Sequence, residues 1–211
     1  FGVLTVEGRT PFGEWLLRIP NLVVRKLYAE QMQASLLPGR RDEAEQAARA
    51  LFQQGDIQPL CEFVERTYFR VYANRDYRWA NELTVKTAFL SPLFNDLLYI
   101  VDSEPALERG YADLVLLVRP DMRQYRVLDI LIEFKYVPLK ELGLRGAELR
   151  EMDRAELLAL EPVRRRMAEA RAQLARQREA LLARYGDLLR LRTFAVTALG
   201  FERLVCELVD W

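Results

Sequence analysis

The sequence of 211 residues contains no histidine. This absence excludes Ser-His-Asp triads, Cys-His nucleophile pairs and every zinc site built on imidazole ligands. Acid–base or metal chemistry in this chain must therefore use carboxylates, lysine, tyrosine or arginine. The two cysteines, Cys61 and Cys206, are too few for a zinc site alone. Both lie in apolar runs typical of small core residues in a reducing cytoplasm, and a disulfide between them is the less favoured alternative.

The chain also lacks a net charge and a long hydrophobic run. Its 31 basic and 31 acidic side chains cancel, so composition gives no overall attraction to nucleic acid or membrane. Because no run of eighteen apolar residues is present, we expect no membrane-spanning helix. The first residues, FGVLTVEG, have neither an initiator methionine nor the features of a signal peptide. We therefore expect a cytoplasmic protein and a sequence that begins within a longer chain.

Half of the residues are hydrophobic, which is enough to build a core. Apolar periodicity, turn residues and capping residues predict two strands, four helices, three strands, one long helix and two closing strands. This order predicts an α/β fold with a mixed sheet flanked by helices. We assign residues 74–211 to that domain and residues 1–73 to a small N-terminal part made of a strand pair and helices.

The predicted elements have approximate bounds. Strands are predicted at 2–6, 14–19, within 100–110, and at 111–118, 125–137, 191–200 and 202–209. Helices are predicted at 21–35, 42–54, 56–72 and 79–98, with a long helix that ends near residue 185. The stretch 138–156, PLKELGLRGAELREMDRAE, is predicted to be polar and flexible. The longer segment between Pro138 and Pro162 is predicted to form a lid or a docking segment.

The strand VLDILIEFKY carries two charges near its end. Side chains alternate across a strand, so its even positions form an apolar face while Glu133 and Lys135 share the other face. A hairpin centred on Arg123 would place Asp113, at the start of the preceding strand, directly opposite Glu133. Opposed Cβ atoms in such a pair lie about 5 Å apart. Asp129 shares the face of Glu133 but lies two pairs away, and we exclude it from the site.

Two carboxylates this close raise each other's pKa unless a cation joins them. A hard divalent ion such as Mg²⁺ (or Mn²⁺) suits oxygen ligands completed by water. Lys135 would then lie within reach of a water or phosphate beside the metal, which suits metal-assisted hydrolysis of a phosphodiester. From the spacing alone, a solvated strand end or a plain ion pair between Glu133 and Lys135 is the more common explanation.

Several segments resemble a known family. ERGYADLVLLV followed by LDILIEFKY resembles the PD-(D/E)xK nuclease superfamily, and more narrowly the nuclease-like domain at the C-terminus of bacterial AAA-ATPase-like proteins. FGVLTVEG, LRIPNLVVRKLYAEQM, ANELTVKTAF and LRTFAVTALGFERL are also similar to that group, so the likeness spans nearly the whole chain. The superfamily's usual proline before the aspartate is Ala112 here. The resemblance implies a restriction-endonuclease-like core with the active site on its central hairpin.

The resemblance also implies roles for individual residues. Asp113 and Glu133 would bind the metal, and Lys135 would orient the attacking water. Glu82, on the preceding helix, would complete the metal site, although a surface ion pair with the lysine four residues later is the simpler explanation of that glutamate. Gln173, on the long helix, would support the site by a hydrogen bond toward the hairpin. An ordinary surface glutamine is the alternative there.

The long helix is also a candidate nucleic-acid contact. Residues 162–192 hold nine arginines and three acidic residues, and Arg164, Arg165 and Arg171 could grip a phosphate backbone. The slightly favoured alternative is a solvent-exposed helix face whose positive charge is balanced by the acidic stretch that precedes it in the sequence. An aromatic group precedes the Glu82 helix, and core packing is favoured over base stacking for its members. These aromatic residues are Tyr68, Phe69, Tyr72, Tyr77 and Trp79.

Taken with the resemblance, the sequence predicts a Mg²⁺-dependent deoxyribonuclease. The rival hypothesis is a catalytically inactive nuclease-fold module that docks DNA or a protein partner onto an AAA-ATPase-like region of the same chain. A homodimer formed through the N-terminal strands and helices is a further expectation. The sequence alone does not separate DNA from RNA as substrate, or endonucleolytic from exonucleolytic cleavage.

Overall fold

The computed structural model describes residues 5–9, 13–18, 39–70, 82–93, 95, 98–103, 106–107, 110–111 and 113–211. Some predicted features lie outside these residues. They are the helix at 21–35, the boundary between residues 73 and 74, and the side chains of Tyr72, Tyr77 and Trp79.

A mixed sheet of five strands forms the centre of the molecule. Its strand order is β3-β6-β7-β8-β9, and only the β7–β8 pair is parallel. Parallel neighbours need a long crossover connection, which here contains the 25-residue helix α7. The predicted α/β mixed-sheet fold is confirmed. The sheet strands are β3 (Tyr99–Ser103), β6 (Leu114–Val118), β7 (Asp129–Val137), β8 (Leu191–Leu199) and β9 (Arg203–Leu208).

Two small hairpins accompany this sheet, one before the first helices in the chain and one between β3 and β6. Strands β1 (Thr5–Arg9) and β2 (Trp15–Arg18) pair antiparallel, as do β4 (Ala106–Leu107) and β5 (Gly110–Tyr111). The helices are α1 (Arg41–Gln54), α2 (Gln58–Val64), α3 (Glu82–Leu93), α4 (Leu139–Leu142), α5 (Gly146–Glu151), α6 (Arg154–Ala159) and α7 (Glu161–Tyr185).

The two faces of the sheet are covered by different helices. Ile130, Ile132 and Phe134 of β7 belong to the core formed with α1, α2 and α3, whereas Leu131 belongs to the core beneath α7. A strand buried on both faces is usually apolar throughout. Six of the nine residues of β7 are apolar, and Asp129, Glu133 and Lys135 are the exceptions. Helices α1 and α2, from the predicted N-terminal part, therefore share a core with the sheet.

Among the residues that the structure describes, no helix is long and apolar enough to cross a membrane.

The register of the central hairpin matches the sequence prediction. Strands β6 and β7 pair at Leu114–Ile132, Val115–Leu131 and Leu116–Ile130. Since Asp113 immediately precedes Leu114, this is the register that directs Asp113 toward the segment that contains Glu133. A slip of one residue would have moved the charged face of β7 into the opposite core.

The prediction of a flexible polar stretch at 138–156 is wrong. These residues form α4, α5 and most of the first turn of α6, with Leu149 fully buried. Arg203, at the start of β9, donates hydrogen bonds to the backbone carbonyls of Leu149, Arg150 and Met152. Helix α6 is capped reciprocally by Asp153 and Glu156. The segment is therefore packed helical structure and is not flexible, while its role as a docking segment stays a prediction.

Asp129, at the start of β7, fixes the far end of the sheet. Its carboxylate is completely buried and accepts hydrogen bonds from the backbone N–H groups of Val118 and Arg190, each at 2.8 Å. The Arg123 guanidinium adds a two-pronged contact, with both nitrogens 2.8 Å from the carboxylate oxygens. One side chain thus joins β6, the β6–β7 connection and the segment that enters β8.

Candidate active site

Glu133 and Lys135 lie near the end of β7 on the face covered by α7. They are only 2% and 6% exposed, respectively. Strand alternation places both on this face, opposite the apolar face that carries Phe134. A glutamate and a lysine this deeply buried differ from a solvated strand end, because burial of a charge is costly unless partners compensate it.

Every oxygen of the Glu133 carboxylate has a donor. Oε1 accepts a hydrogen bond from Lys135 Nζ at 2.8 Å, and Oε2 accepts one from Gln177 Nε2, on α7, at 2.9 Å. Lys135 Nζ also donates to the backbone carbonyl of Phe134 at 3.2 Å. The lysine is thereby held beside the carboxylate and is screened from bulk solvent.

The site still disfavours the charge on Glu133. Burial raises the pKa of Glu133 above its usual value, and the negative charge of Asp113 raises it further. Hydrogen bonds from Lys135 and Gln177 act in the opposite direction without cancelling these effects. A second cation between the two carboxylates would therefore stabilise their charged forms.

Asp113 lies just before β6, where the β6–β7 ladder ends. Its Oδ2 accepts a hydrogen bond from the backbone N–H of Phe134 at 2.8 Å, so the aspartate occupies the position that the missing strand partner would take. Its other oxygen accepts no hydrogen bond among the residues that the structure describes. This leaves one carboxylate oxygen of Asp113 for a ligand close to Glu133.

Glu82 approaches the same lysine from the first turn of α3. Its Oε1 is 3.8 Å from Lys135 Nζ, and its side chain is 46% exposed. Phe89 anchors this helix by packing against Phe134, with ring centroids 5.0 Å apart. Glu82 therefore lies at the solvent-exposed edge of the site, which we call its rim. Glu133 lies at the buried bottom of the site, which we call its floor.

A family model of the PD-(D/E)XK nuclease superfamily matches residues 80–208. The chain belongs to this superfamily. The matched region contains the whole hairpin, Glu82 and the long helix α7, so its boundaries enclose every side chain of the site. No curated protein and no solved structure matches the chain closely enough to add a relative.

Nucleases of this superfamily typically use divalent metal ions, and the donors present fit such an ion. Asp113, Glu133 and the Phe134 carbonyl offer oxygen ligands, and Mg²⁺ commonly binds through one or two carboxylates, with waters and substrate completing its shell. In the described part of the chain, no three acidic or cysteine side chains already form a metal-binding cluster. Asp113 and Glu133 could therefore hold a metal, with Glu82 able to reach it from the rim.

The structure brings Gln177 to Glu133, four residues beyond Gln173. Sequence reasoning missed Gln177 as a site residue, although an amide in the apolar seam of α7 between Leu174 and Leu181 was a usable signal. Gln173 is partly buried, and its Oε1 has no hydrogen-bond partner among the described residues. Its supporting role stays a prediction.

The three arginines predicted to grip nucleic acid each pair with a glutamate. Arg164 pairs with Glu161, Arg165 with Glu141, and Arg171 with Glu207. These arginines are more than 45% exposed, and such surface pairs contribute little stability. These ion pairs agree with the alternative, a solvent-exposed helix face whose positive charge is balanced by nearby glutamates. The contact of the three arginines with nucleic acid stays a prediction.

The two described aromatic residues of the group before α3 serve as packing. Phe69 is 4% exposed and lies against Phe201 with ring centroids 5.4 Å apart. Tyr68 meets Phe63 edge to face at 6.3 Å between centroids. Phe69 belongs to the core and the partly buried Tyr68 packs against it, which agrees with the favoured interpretation, core packing.

Proposed function

We propose that this chain is a divalent-metal-dependent nuclease that hydrolyses phosphodiester bonds of DNA. The observation that carries the proposal is the buried Glu133 carboxylate, on which Lys135 and Gln177 converge beside Asp113. Such a group is costly to keep unless a function needs it, because a carboxylate and an ammonium buried together seldom add stability over apolar residues.

In this proposal each residue has a distinct task. Asp113 and Glu133 hold the Mg²⁺ or Mn²⁺ ion, and Glu82 adds a ligand or an acceptor at the rim. The bound ion supplies charge neutralisation and Lewis-acid activation at the scissile phosphate. Lys135 orients the attacking water and stabilises the negative charge that develops on the phosphoryl oxygens. Gln177 fixes the orientation of Glu133, and Gln173 supports the same wall of the site.

The charges of the site suit this task. The carboxylates of Glu133 and Glu82 lie within 4 Å of the Lys135 ammonium, and Asp113 lies close enough to Glu133 to raise its pKa. This excess of negative charge favours binding of a divalent cation and, without one, would repel a phosphodiester. Metal binding is therefore expected to precede productive binding of the nucleic acid.

The proposal extends to the partners of the chain. Similarity of the N-terminal segments, such as LRIPNLVVRKLYAEQM, to domains attached to AAA-ATPase-like regions supports a partner of that kind in a longer chain. A homodimer and a cytoplasmic location complete the proposal. Light scattering of the purified chain distinguishes a monomer from a dimer.

A cleavage assay tests the proposed activity. The purified chain should cut single-stranded or double-stranded DNA in Mg²⁺ or Mn²⁺, and EDTA should abolish the cleavage. Asp113→Asn should lower the rate by at least about 100-fold, because it removes a charged ligand of the metal. An RNA strand of the same sequence tests the choice of DNA.

Asp121→Asn is the matched control, since Asp121 is exposed and remote from the hairpin end. Its cleavage rate should equal that of the wild type. Absence of cleavage by the wild-type chain in every metal, or equal cleavage by Asp113→Asn, would contradict the proposed nuclease.

A further inference from the structure

Helix α7 directs one line of polar side chains toward the site. Arg166, Gln173 and Gln177 are separated by seven and four residues, and at about 100° per residue these spacings place them on one side of the helix. The contact between Gln177 and Glu133 shows that this side faces the carboxylates. We call Arg166, Gln173 and Gln177 the α7 polar line.

A separate contact places Arg166, the residue of the α7 polar line nearest the N-terminus of the helix, beside Lys135. Thr197, on β8, donates its hydroxyl to Met167 Sδ at 3.0 Å. Thr197 is the register partner of Lys135 across the β7–β8 pair. Met167 therefore lies at the level of Lys135, and Arg166 is its neighbour in the chain. The pKa of Arg166 is raised mainly by its hydrogen bond to Glu169, with additional contributions from Glu141 and Glu82.

The guanidinium of Arg166 is only partly committed within the protein. Its Nη1 pairs with Glu169 Oε2 at 2.9 Å, in an i,i+3 surface pair of the kind that contributes little. Its Nε is buried and has no hydrogen-bond partner among the described residues. A buried donor without an acceptor is costly, so a ligand oxygen beside Nε would be favoured.

Arg166 differs in this respect from its neighbours on the helix. Arg164 and Arg165 are exposed to 63% and 54%, whereas the Arg166 side chain is 32% exposed. Arg164 and Arg165 form ion pairs with glutamates on the surface. The Nε of Arg166, in contrast, has no hydrogen-bond partner among the described residues. Its planar edge, Nε with Nη2, has the shape that binds two oxygens of one phosphate.

We propose that Arg166 binds a backbone phosphate of the nucleic acid and so positions the strand across the hairpin site. This inference rests on the proposed nuclease function and deepens it, because it assigns a backbone-phosphate contact to one particular arginine of the basic helix α7. The surface pair with Glu169 opens at small cost when the phosphate binds. Arg166 would act on binding more than on the chemical step, because Lys135 lies nearer to Glu133.

Equilibrium binding of a fluorescein-labelled phosphorothioate DNA oligonucleotide, which resists cleavage, tests the inference by anisotropy at a fixed Mg²⁺ concentration and over a range of NaCl concentrations. Arg166→Ala should weaken binding by about tenfold and reduce the slope of log K against log salt by about 0.7–0.9, the value for one phosphate contact. Arg166→Lys should restore the slope and only part of the affinity, since lysine keeps the charge but loses the two-pronged geometry.

Arg49→Ala is the matched control and should change affinity by less than about twofold, since Arg49 lies on α1, across the sheet from α7, in an exposed pair with Glu45. Thermal unfolding should be unaltered in both variants. Wild-type affinity in Arg166→Ala, an equal loss in Arg49→Ala, or no DNA binding by the wild type would overturn the inference. Arg166-dependent binding by a wild type that never cleaves would support this inference while sinking the proposed nuclease activity.

Discussion

Lys135→Met should lower the rate of metal-dependent DNA cleavage by about 10²–10⁴-fold, the range expected when a group that orients and activates water is lost. Methionine keeps an unbranched side chain, one atom shorter than that of lysine, and removes the ammonium that contacts Glu133 Oε1 and the Phe134 carbonyl. The loss should appear in kcat, since the lysine lies beside the floor of the site and not at its rim. Steady-state cleavage of a labelled oligonucleotide measures it.

Lys140→Met provides the control for this variant. Lys140 is exposed on α4, a few residues after the strand, and its replacement should leave cleavage unchanged. Circular dichroism and thermal unfolding should show Lys135→Met folded. A folded Lys135→Met protein that cleaves at more than a tenth of the wild-type rate would show that Lys135 has no catalytic role.

Asp129→Ala should reduce the free energy of unfolding by about 3–5 kcal/mol, the loss expected when one partner of a buried ion pair is removed. The substitution deprives the N–H groups of Val118 and Arg190 of their acceptor and leaves Arg123 without its buried carboxylate. Urea-induced unfolding, followed by tryptophan fluorescence, measures the change.

The control is Asp121→Ala. Asp121 belongs to the same strand connection, but its side chain is 59% exposed and its pair with Arg119 lies on the surface. Its removal should change stability by less than about 0.5 kcal/mol. If Asp129→Ala unfolded at the same urea concentration as Asp121→Ala, Asp129 would not be a structural anchor of the sheet.

The sequence predicted the hairpin because its constraints are local. Alternation fixed which side chains of β7 share a face, and the length of the connection around Arg123 fixed the register that the structure confirms. The burial of Glu133 and Lys135 was not predictable in the same way. It depends on α7, which covers that face from positions more than 25 residues further along the chain.

The failures have physical reasons as well. Residues 138–156 contain four leucines and one methionine, but Gly143 and Gly146 interrupt them. In the structure Leu149 is buried and Arg203 donates to three of the segment's carbonyls. Those contacts come from β9, about 50 residues away, and leave no local trace. The choice between Gln173 and Gln177 likewise depends on the crossing of α7 over β7, which a helical period alone does not define.

Asp129 illustrates how similar residue types acquire different tasks. It shares a strand face with Glu133, and both are buried acids. Four donors, from Val118, Arg190 and Arg123, surround Asp129 and satisfy its charge completely. Glu133 keeps a raised pKa beside a second carboxylate, that of Asp113. The arrangement around Asp129 stabilises the fold, whereas the negative charge around Glu133 and Asp113 favours binding of a cation.

Calorimetric titration with Mn²⁺ tests most directly whether the hairpin is a metal centre. The wild-type chain should show saturable binding of Mn²⁺, and both Asp113→Asn and Glu133→Gln should abolish it, while Lys135→Met should retain it. No binding by the wild type, or equal binding by Asp113→Asn, would contradict the metal centre and favour a catalytically inactive nuclease fold that serves interaction alone.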